Sequence, residues 1–121
     1  MAYEIRFDVF GVRCIYAGQC TYADVQNALV TIGANIYASK LTYVLHDFTQ
    51  VEKFDNGVAA VITVGQRGLS KAIDLTFQTA ILATDSQFLS LLETFASQIK
   101  HDIAILKSPG EAGDWILKCF A

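Results

Sequence analysis

The sequence predicts a single α/β domain, in which a mixed, mostly parallel five-stranded sheet is covered by about four helices in the order ββαβαβαβα. Short β-branched and aromatic segments alternate with segments of helical period, and this order forces parallel crossovers. Capping residues precede several of the helical segments. The 121 residues match the length of one ordinary domain. No linker, repeat or low-complexity stretch divides them, so residues 1–121 are predicted to form one domain.

The N-terminal part predicts a β-hairpin followed by a helix. Apolar and polar residues alternate from Tyr3 to Val9, and Val12 to Gly18 resumes a strand pattern. Thr21 and Asp24 have the spacing of a capping box. Apolar residues then recur at steps of three and four, which predicts a helix ending near Ser39 with these residues on one face: Val25, Ala28, Leu29, Ile32 and Ile36.

A central strand and a second helix are predicted next. Leu41 to Leu45 is β-branched and aromatic, which is typical of a strand buried on both faces, and His46 to Gln50 is predicted to be a polar turn. Asp55 or Asn56 is predicted to cap the second helix. The glycines of Gly65 to Gly68 are interpreted as an interruption of that helix, because a phosphate-binding loop requires a strand–loop–helix context.

The C-terminal part predicts two strands and two helices. Phe77 to Thr84 and Ile103 to Leu106 have strand character, and Asp85 is predicted to cap the helix between them. Ser108 to Glu111 supplies a serine cap, a proline at the first helical position and a glutamate three residues after the cap. Trp115 is predicted to anchor this last helix in the core.

The composition indicates more apolar surface than one small core needs. The chain is 53% hydrophobic and 17% charged, against about 45–50% and 25% in average domains. A parallel sheet that is apolar on both faces explains the excess, and so does a surface covered by a subunit, a lipid or a protein. Val58 to Val64 is apolar almost all round. We therefore expect a symmetric homodimer through the second helix or an edge strand.

Charge and cysteine usage exclude several classes of function. The net charge of −3 leaves no basic stripe for phosphates, so no nucleic-acid partner is expected. No apolar stretch is long enough to span a bilayer, and the first residues do not have the pattern of a signal peptide. Cys14, Cys20 and Cys119 lack the spacing of zinc ligands, and three thiols cannot all pair within one chain. We expect reduced thiols, no bound metal and a cytoplasmic location.

Motifs of enzymes and of cofactor binding are missing. The sequence contains no glycine-rich dinucleotide fingerprint after a strand, no Walker loop, no nucleophile elbow and no HExxH. His46 and Asp47 follow a predicted parallel strand, at the edge where open α/β sheets place their sites. Adjacent polar residues can perform acid–base chemistry, but no nucleophile or orienting group accompanies them. A solvated loop is favoured, and we predict neither enzymatic activity nor a cofactor.

Several local patterns together resemble a known family. They are the hairpin with Thr21–Asp24, the run Tyr43–Phe48 continuing through Val51–Asp55 into a helix, Thr79–Thr84, and Ile103–Leu106 with Glu111–Ile116. On these patterns the chain resembles the STAS superfamily of anti-sigma-factor antagonists and sulfate-transporter C-terminal domains. Within it, the chain is most similar to the small stand-alone SpoIIAA-like proteins of bacteria.

The resemblance implies a non-enzymatic protein-interaction or regulatory domain. Phosphorylatable members carry an aspartate followed by serines at the start of the second main helix. The matching stretch, Asp55-Asn56-Gly57-Val58, has no hydroxyl group, so we expect no phosphoswitch there. A helix N-terminus still favours an anion or a partner carboxylate. The residues expected to bind a partner or ligand are His46, Asp47, Thr49, Asp55, Asn56 and Gly57.

A second implied function is that of a small carrier for a lipophilic ligand. Some SpoIIAA-like proteins resemble the Sec14-type lipid carriers, which would suit the apolar excess. An enclosed pocket of about 300–1,000 Å³ favours such a carrier, whereas a flat exposed patch favours a protein partner.

Overall fold

The computed structural model describes residues 3–7, 11–35, 42–73, 78–99 and 103–119, apart from the side chains of residues 67, 69–73 and 99. Strands and helices alternate along these residues as β1 Tyr3–Phe7, β2 Gly11–Cys20, α1 Tyr22–Ala34, β3 Tyr43–Phe54, α2 Val58–Ile73, β4 Gln78–Leu82, α3 Ser86–Ile99, β5 Ile103–Leu106 and α4 Pro109–Cys119. The predicted order of elements is confirmed.

The strands form one sheet in the order β1-β2-β3-β4-β5. β1 runs antiparallel to β2, and the remaining neighbours are parallel. Helices α1, α2 and α3 cover one face, where Leu29, Ile62 and Leu92 pack with Tyr16 and Phe48 of the sheet. Helix α4 covers part of the other face. The predicted α/β class, a mixed and mostly parallel sheet between helices, is confirmed.

Trp115 packs on the α4 side of the sheet and is half-buried. Its ring meets Tyr43 edge-on with the ring centroids 6.0 Å apart. Ala112 is the residue of α4 that is buried completely against the strands, at 2% exposure. The predicted core anchor therefore contributes to the core from its edge.

Side-chain caps begin three of the helices, as the sequence predicts. Thr21 and Asp24 form a reciprocal capping box on α1, with N···O distances of 3.2 and 3.0 Å. Asp85 accepts from the backbone amide of Phe88 at 2.8 Å, and Ser108 accepts from the amide three residues later at 3.2 Å. Each cap satisfies an amide that has no partner within its helix.

The predicted polar turn from His46 to Gln50 is wrong, because β3 continues through it to Phe54. A bulge makes this continuation possible. Asp47 pairs with Ile15 and Gln50 pairs with Ala17, so β3 has one residue more than β2 between the two pairs. The Asp47 carboxylate accepts from the Thr49 amide and hydroxyl at 2.9 and 2.6 Å. Hydrogen bonds typical of a turn therefore stabilise an irregular strand.

The predicted interruption of α2 is also wrong, because the helix runs unbroken through Gly65 and Gly68. A Cβ atom on Gly65 would lie 2.6 Å from Cδ1 of Leu29, so the glycine permits α1 and α2 to pack closely. Helix α1 ends at Ala34 rather than near Ser39. Parts of the predicted strands and helices lie outside the described residues, namely residues 8–9, 36–39, 41 and 77, which include Val9, Ile36, Ser39, Leu41 and Phe77.

Candidate functional site

A ribbon formed by β2 and β3 projects beyond the rest of the sheet. β3 pairs with β4 as far as Asp47, but it pairs with β2 as far as Phe54. The chain then turns through residues 55–57 into α2. Gly57 occupies this turn with φ of +89°, a conformation that L side chains rarely adopt. The glycine therefore allows the ribbon to lead directly into the helix.

A surface groove of about 520 Å³ lies where this turn meets the first half of α3. Its aromatic wall consists of Phe54, Phe88 and Phe95. The rings of Phe54 and Phe88 are stacked with centroids 4.0 Å apart and an angle of 17° between their planes. Leu91 also lines the groove and is 51% exposed. The groove thus presents the side chain of Leu91 to the outside, between the turn and α3.

Charged groups surround this apolar surface. Glu52, Asp55 and Asp85 supply carboxylates, and Lys53 supplies one ammonium group. Gln19 donates from Nε2 to Oδ1 of Asp55 at 2.9 Å, which ties the ribbon to the turn. The rim of the groove is therefore acidic around an aromatic wall.

The start of α2 differs from the predicted side-chain cap. The carboxylate of Asp55 accepts from Gln19, and its backbone carbonyl accepts from the amide of Val58 at 3.4 Å. The amide of Val61 donates to the carbonyl of Gly57 at 2.9 Å, so Gly57 is the residue from which the helix begins. Asn56 is exposed on the groove. Of the six expected site residues, Asp55, Asn56 and Gly57 line the groove.

His46 lies elsewhere, fully buried beneath α2. Its Nε2 is 2.7 Å from Oε1 of Gln66, and its Nδ1 is 3.1 Å from the hydroxyl of Tyr16. Burial lowers the pKa of His46 to about 4, so the ring is neutral near pH 7. Nε2 then carries the proton and donates to Gln66, while Nδ1 accepts from Tyr16. The expectation that His46 lies on a solvated loop is wrong, since it joins β2, β3 and α2 inside the core.

Asp47 and Thr49 form a third group, on the α4 side of the sheet. Oδ2 of Asp47 lies 2.9 Å from Nη2 of Arg13, and the aspartate side chain is only 5% exposed. The same carboxylate binds Thr49 across the bulge. Asp47 is therefore a buried, paired carboxylate that stabilises the strand irregularity. The six expected residues therefore divide among three places, and Asp55, Asn56 and Gly57 are the three that line the groove.

The α3 side of the groove is not apparent from the sequence. Phe88, Leu91 and Phe95 lie in the helix that Asp85 is predicted to cap, and none of them is among the expected site residues. The structure buries Phe88 at 3% exposure but leaves Leu91 half exposed. One signal was available, because Phe88, Leu91, Leu92, Phe95 and Ile99 together form a broad apolar stripe. Which edge of that stripe faces solvent depends on how the helix packs.

Cysteine chemistry and metal binding find no support in the described part of the chain. Cys14 and Cys20 are buried, and burial raises their pKa values to about 11 and about 12. Both thiols are therefore protonated and unreactive near neutral pH. Among the described residues, no three His, Cys, Asp or Glu side chains group closely enough to hold a metal ion. None of the described helices combines the length and the apolarity that a membrane crossing requires.

No protein-family model matches the chain, and no curated protein matches its sequence. Solved structures do share its fold. The anti-sigma factor antagonist SpoIIAA in its unphosphorylated form matches with a TM-score of 0.65 and 13% identity, over 97% of this chain and 98% of that one. The Bacillus cell fate determinant SpoIIAA in its phosphorylated form matches with a TM-score of 0.66 and 15% identity, over 95% of this chain and 99% of that one.

An uncharacterised protein of the DUF3478 family from Shewanella loihica PV-4, described as having a SpoIIAA-like fold, matches with a TM-score of 0.54 and 17% identity. The match covers 94% of this chain and 91% of that one. Identities this low establish the fold alone. The chain has the SpoIIAA-like fold, and the resemblance found in its sequence is confirmed at that level.

Proposed function

We propose that this chain, which has the fold of SpoIIAA, is a non-enzymatic regulatory domain that binds a partner protein in the groove between α2 and α3. One observation carries the proposal: aromatic and aliphatic surface lies open at the start of α2, inside an acidic rim. SpoIIAA itself is an anti-sigma factor antagonist, which is a regulatory role. We further propose that the domain acts in the bacterial cytoplasm.

The chemistry of the groove indicates the kind of segment that it would bind. Phe54 and Leu91 offer contact to an apolar side chain, and burying one such side chain contributes about 1.5–3 kcal/mol. Three carboxylates against the single ammonium group of Lys53 favour a partner segment with positive charges. The proposed ligand is therefore a segment with one large apolar anchor flanked by lysine or arginine.

We propose that phosphorylation at the start of α2 does not control this binding. Residues 55–60 contain no hydroxyl group. The first hydroxyl within α2 belongs to Thr63, which is fully buried and donates to the carbonyl of Ala59 at 2.9 Å. A kinase would have to unfold the helix to reach it. Intact-mass measurement after incubation with cell lysate and ATP should find no phosphate between Asp55 and Thr63, and a stoichiometric phosphate there would contradict the proposal.

The absence of catalysis is part of the same proposal. The lining residues of the groove include no serine, cysteine or histidine among those that the structure describes. His46, which is suited to proton transfer by residue type, is buried in the core. Asp47 is held by Arg13 on the other face of the sheet. These groups support the architecture rather than a reaction.

Selection of peptides tests the proposed function. Linear peptides selected on the wild-type protein should carry an apolar anchor next to basic residues. Binding of a selected peptide should weaken by at least about tenfold in a Leu91→Asp variant, a loss of about 1.4 kcal/mol or more. Leu117→Asp is the matched control, because Leu117 is exposed by 71% on α4, across the sheet. NMR shifts should map to residues 54–57 and 85–91.

Two outcomes would contradict the groove as the binding site. One is equal affinity of the selected peptide for the wild type and for Leu91→Asp. The other is a set of NMR shifts that map to α4, with binding lost in Leu117→Asp. Circular dichroism of both variants checks that each is folded, which the exposure of Leu91 and Leu117 leads us to expect.

A lipophilic-ligand carrier is the second candidate, because the groove volume of about 520 Å³ falls within the range of small-molecule sites, about 300–1,000 Å³. The charged rim favours the protein partner. Native mass spectrometry of protein purified from cells separates the two candidates. A retained lipid adduct that disappears in Leu91→Asp would support the carrier, whereas bare protein together with peptide binding would support the regulatory domain.

A further inference from the structure

One edge of β3 has no neighbouring strand where it passes the groove. β4 ends at Leu82, opposite Asp47, whereas β3 continues to Phe54. Residues 48–54 therefore have a strand neighbour, β2, on one side only. The groove lies along the end of this edge, because residues 52–54 are part of its lining. Backbone groups at such an edge can pair with another extended chain.

The backbone N–H and C=O of Phe54 point away from β2, towards this open edge. Phe54 is the register partner of Cys20, and the carbonyl of Cys20 accepts from the amide of Asp55 at 3.0 Å. Successive residues of a strand direct their backbone groups to opposite sides, so the groups of Phe54 face the other way from those of Asp55. No hydrogen bond joins them to another of the residues that the structure describes.

The side chain of Phe54 faces the helices, where its ring stacks on that of Phe88 with the centroids 4.0 Å apart. In an antiparallel pair, two residues that exchange both backbone hydrogen bonds lie with their Cα atoms about 5.5 Å apart. Their side chains point to the same face of the sheet. A residue paired with Phe54 would therefore place its side chain beside the Phe54 ring, on the side of the groove where Leu91 is 51% exposed.

We propose that the partner segment, whose existence follows from the proposed function, binds as a short antiparallel strand paired with Phe54. Its apolar anchor is the residue that exchanges both backbone hydrogen bonds with Phe54, so one residue meets the strand edge and the apolar wall together. A helical segment would satisfy its own backbone groups and leave those of Phe54 without partners. The pairing is short, because β3 has a second bulge at Glu52, between the partners of Gly18 and Gln19. Bulges hinder continuous pairing along an edge.

N-methylation of a peptide selected on the wild-type protein tests this pairing. Alanine replacement along the peptide first locates the anchor, as the apolar residue whose loss weakens binding most. A methyl group on the amide nitrogen of the anchor removes the donor to the carbonyl of Phe54, and it should raise the dissociation constant by at least about tenfold. The same methyl group on the next residue is the matched control. It should change the dissociation constant by less than about twofold, because that amide points away from β3.

Hydrogen exchange of the full chain measures the same contact on the protein. Saturation with the unmodified peptide should slow exchange of the Phe54 amide by at least about tenfold, because this amide gains an acceptor. The amide of Asp55 is the internal control, since it already donates to the carbonyl of Cys20. Its exchange should slow less than that of Phe54.

Three results would overturn the strand pairing. The first is equal affinity of the anchor-methylated peptide and the unmodified peptide. The second is an equal loss of affinity for methylation at the anchor and at the next residue, which would indicate a segment that is not paired with an edge. The third is an exchange rate of the Phe54 amide that does not change on saturation. The proposed function fails by a different result, in which Leu91→Asp binds the peptide as tightly as the wild type does, so the two failures are distinguishable.

Discussion

Acidification should destabilise this fold through one buried side chain, His46. The ring is fully buried between Tyr16 and Gln66, and it is neutral. In the unfolded chain its pKa returns to the usual value near 6.5, whereas burial lowers it to about 4 in the folded chain. The unfolded state therefore binds more protons between these values. The stabilisation is fully present above about pH 6.5 and is lost as the pH falls towards 4.

The magnitude follows from the two pKa values. Each pH unit within this window removes about 1.4 kcal/mol from the free energy of unfolding, and the whole window removes about 3 kcal/mol. This is a large share of the total stability of a typical domain, about 5–15 kcal/mol. Urea denaturation followed by circular dichroism at pH 7, 6 and 5 measures the effect.

Two variants show whether the loss comes from His46. His46→Gln keeps a polar side chain in the core but cannot titrate, so its free energy of unfolding should change much less between pH 7 and 5. His101→Gln removes the second of the chain's two histidines and should leave the wild-type slope intact. The reasoning is refuted if the wild type and His46→Gln lose equal stability over this interval. It is equally refuted if His101→Gln abolishes the slope.

Three substitutions test the packing and can be measured by the same urea denaturation. Gly11→Ala should destabilise the folded protein by about 3 kcal/mol, because the added Cβ would lie 2.2 Å from the buried ring of Tyr43. A cost below about 1 kcal/mol would show that the ring can move away from the added methyl group. Gly57→Ala should cost about 1–2 kcal/mol, because the backbone φ of +89° is strained for a residue with a side chain. Gly57→Asn should cost less, since asparagine adopts positive φ more readily. Equal costs of the two variants would contradict this explanation. Trp115→Ala should cost about 2 kcal/mol, less than the roughly 3–5 kcal/mol typical of a fully buried ring, since Trp115 is half-buried. An unchanged free energy of unfolding would show that the ring does not contribute to the core.

Local patterns in the sequence were sufficient for the order of elements and for the fold class. Thr21, Asp85 and Ser108 predicted three helix starts, because a cap involves only residues within one turn of each other. The alternation of strands and helices predicted the parallel sheet, because crossovers of this length admit few other arrangements. At the site, the same local reasoning located Asp55, Asn56 and Gly57 at the start of α2.

Tertiary contacts decided which polar residues are buried and which apolar residues are exposed. His46 and Asp47 look like turn residues in the sequence, but Gln66 and Arg13, which bind them, are distant along the chain. Hydrogen bonds from those distant partners offset the cost of burying polar groups, so β3 continues where a turn was predicted.

The groove itself could not be found by reasoning along the chain, because its walls come from two separate segments, residues 52–60 and 85–95. The same holds for Gly65, whose missing side chain matters only because Leu29 of α1 packs against it. The period of a helix shows which residues share a face, but the packing of one element on another decides whether that face meets the core, a groove or solvent.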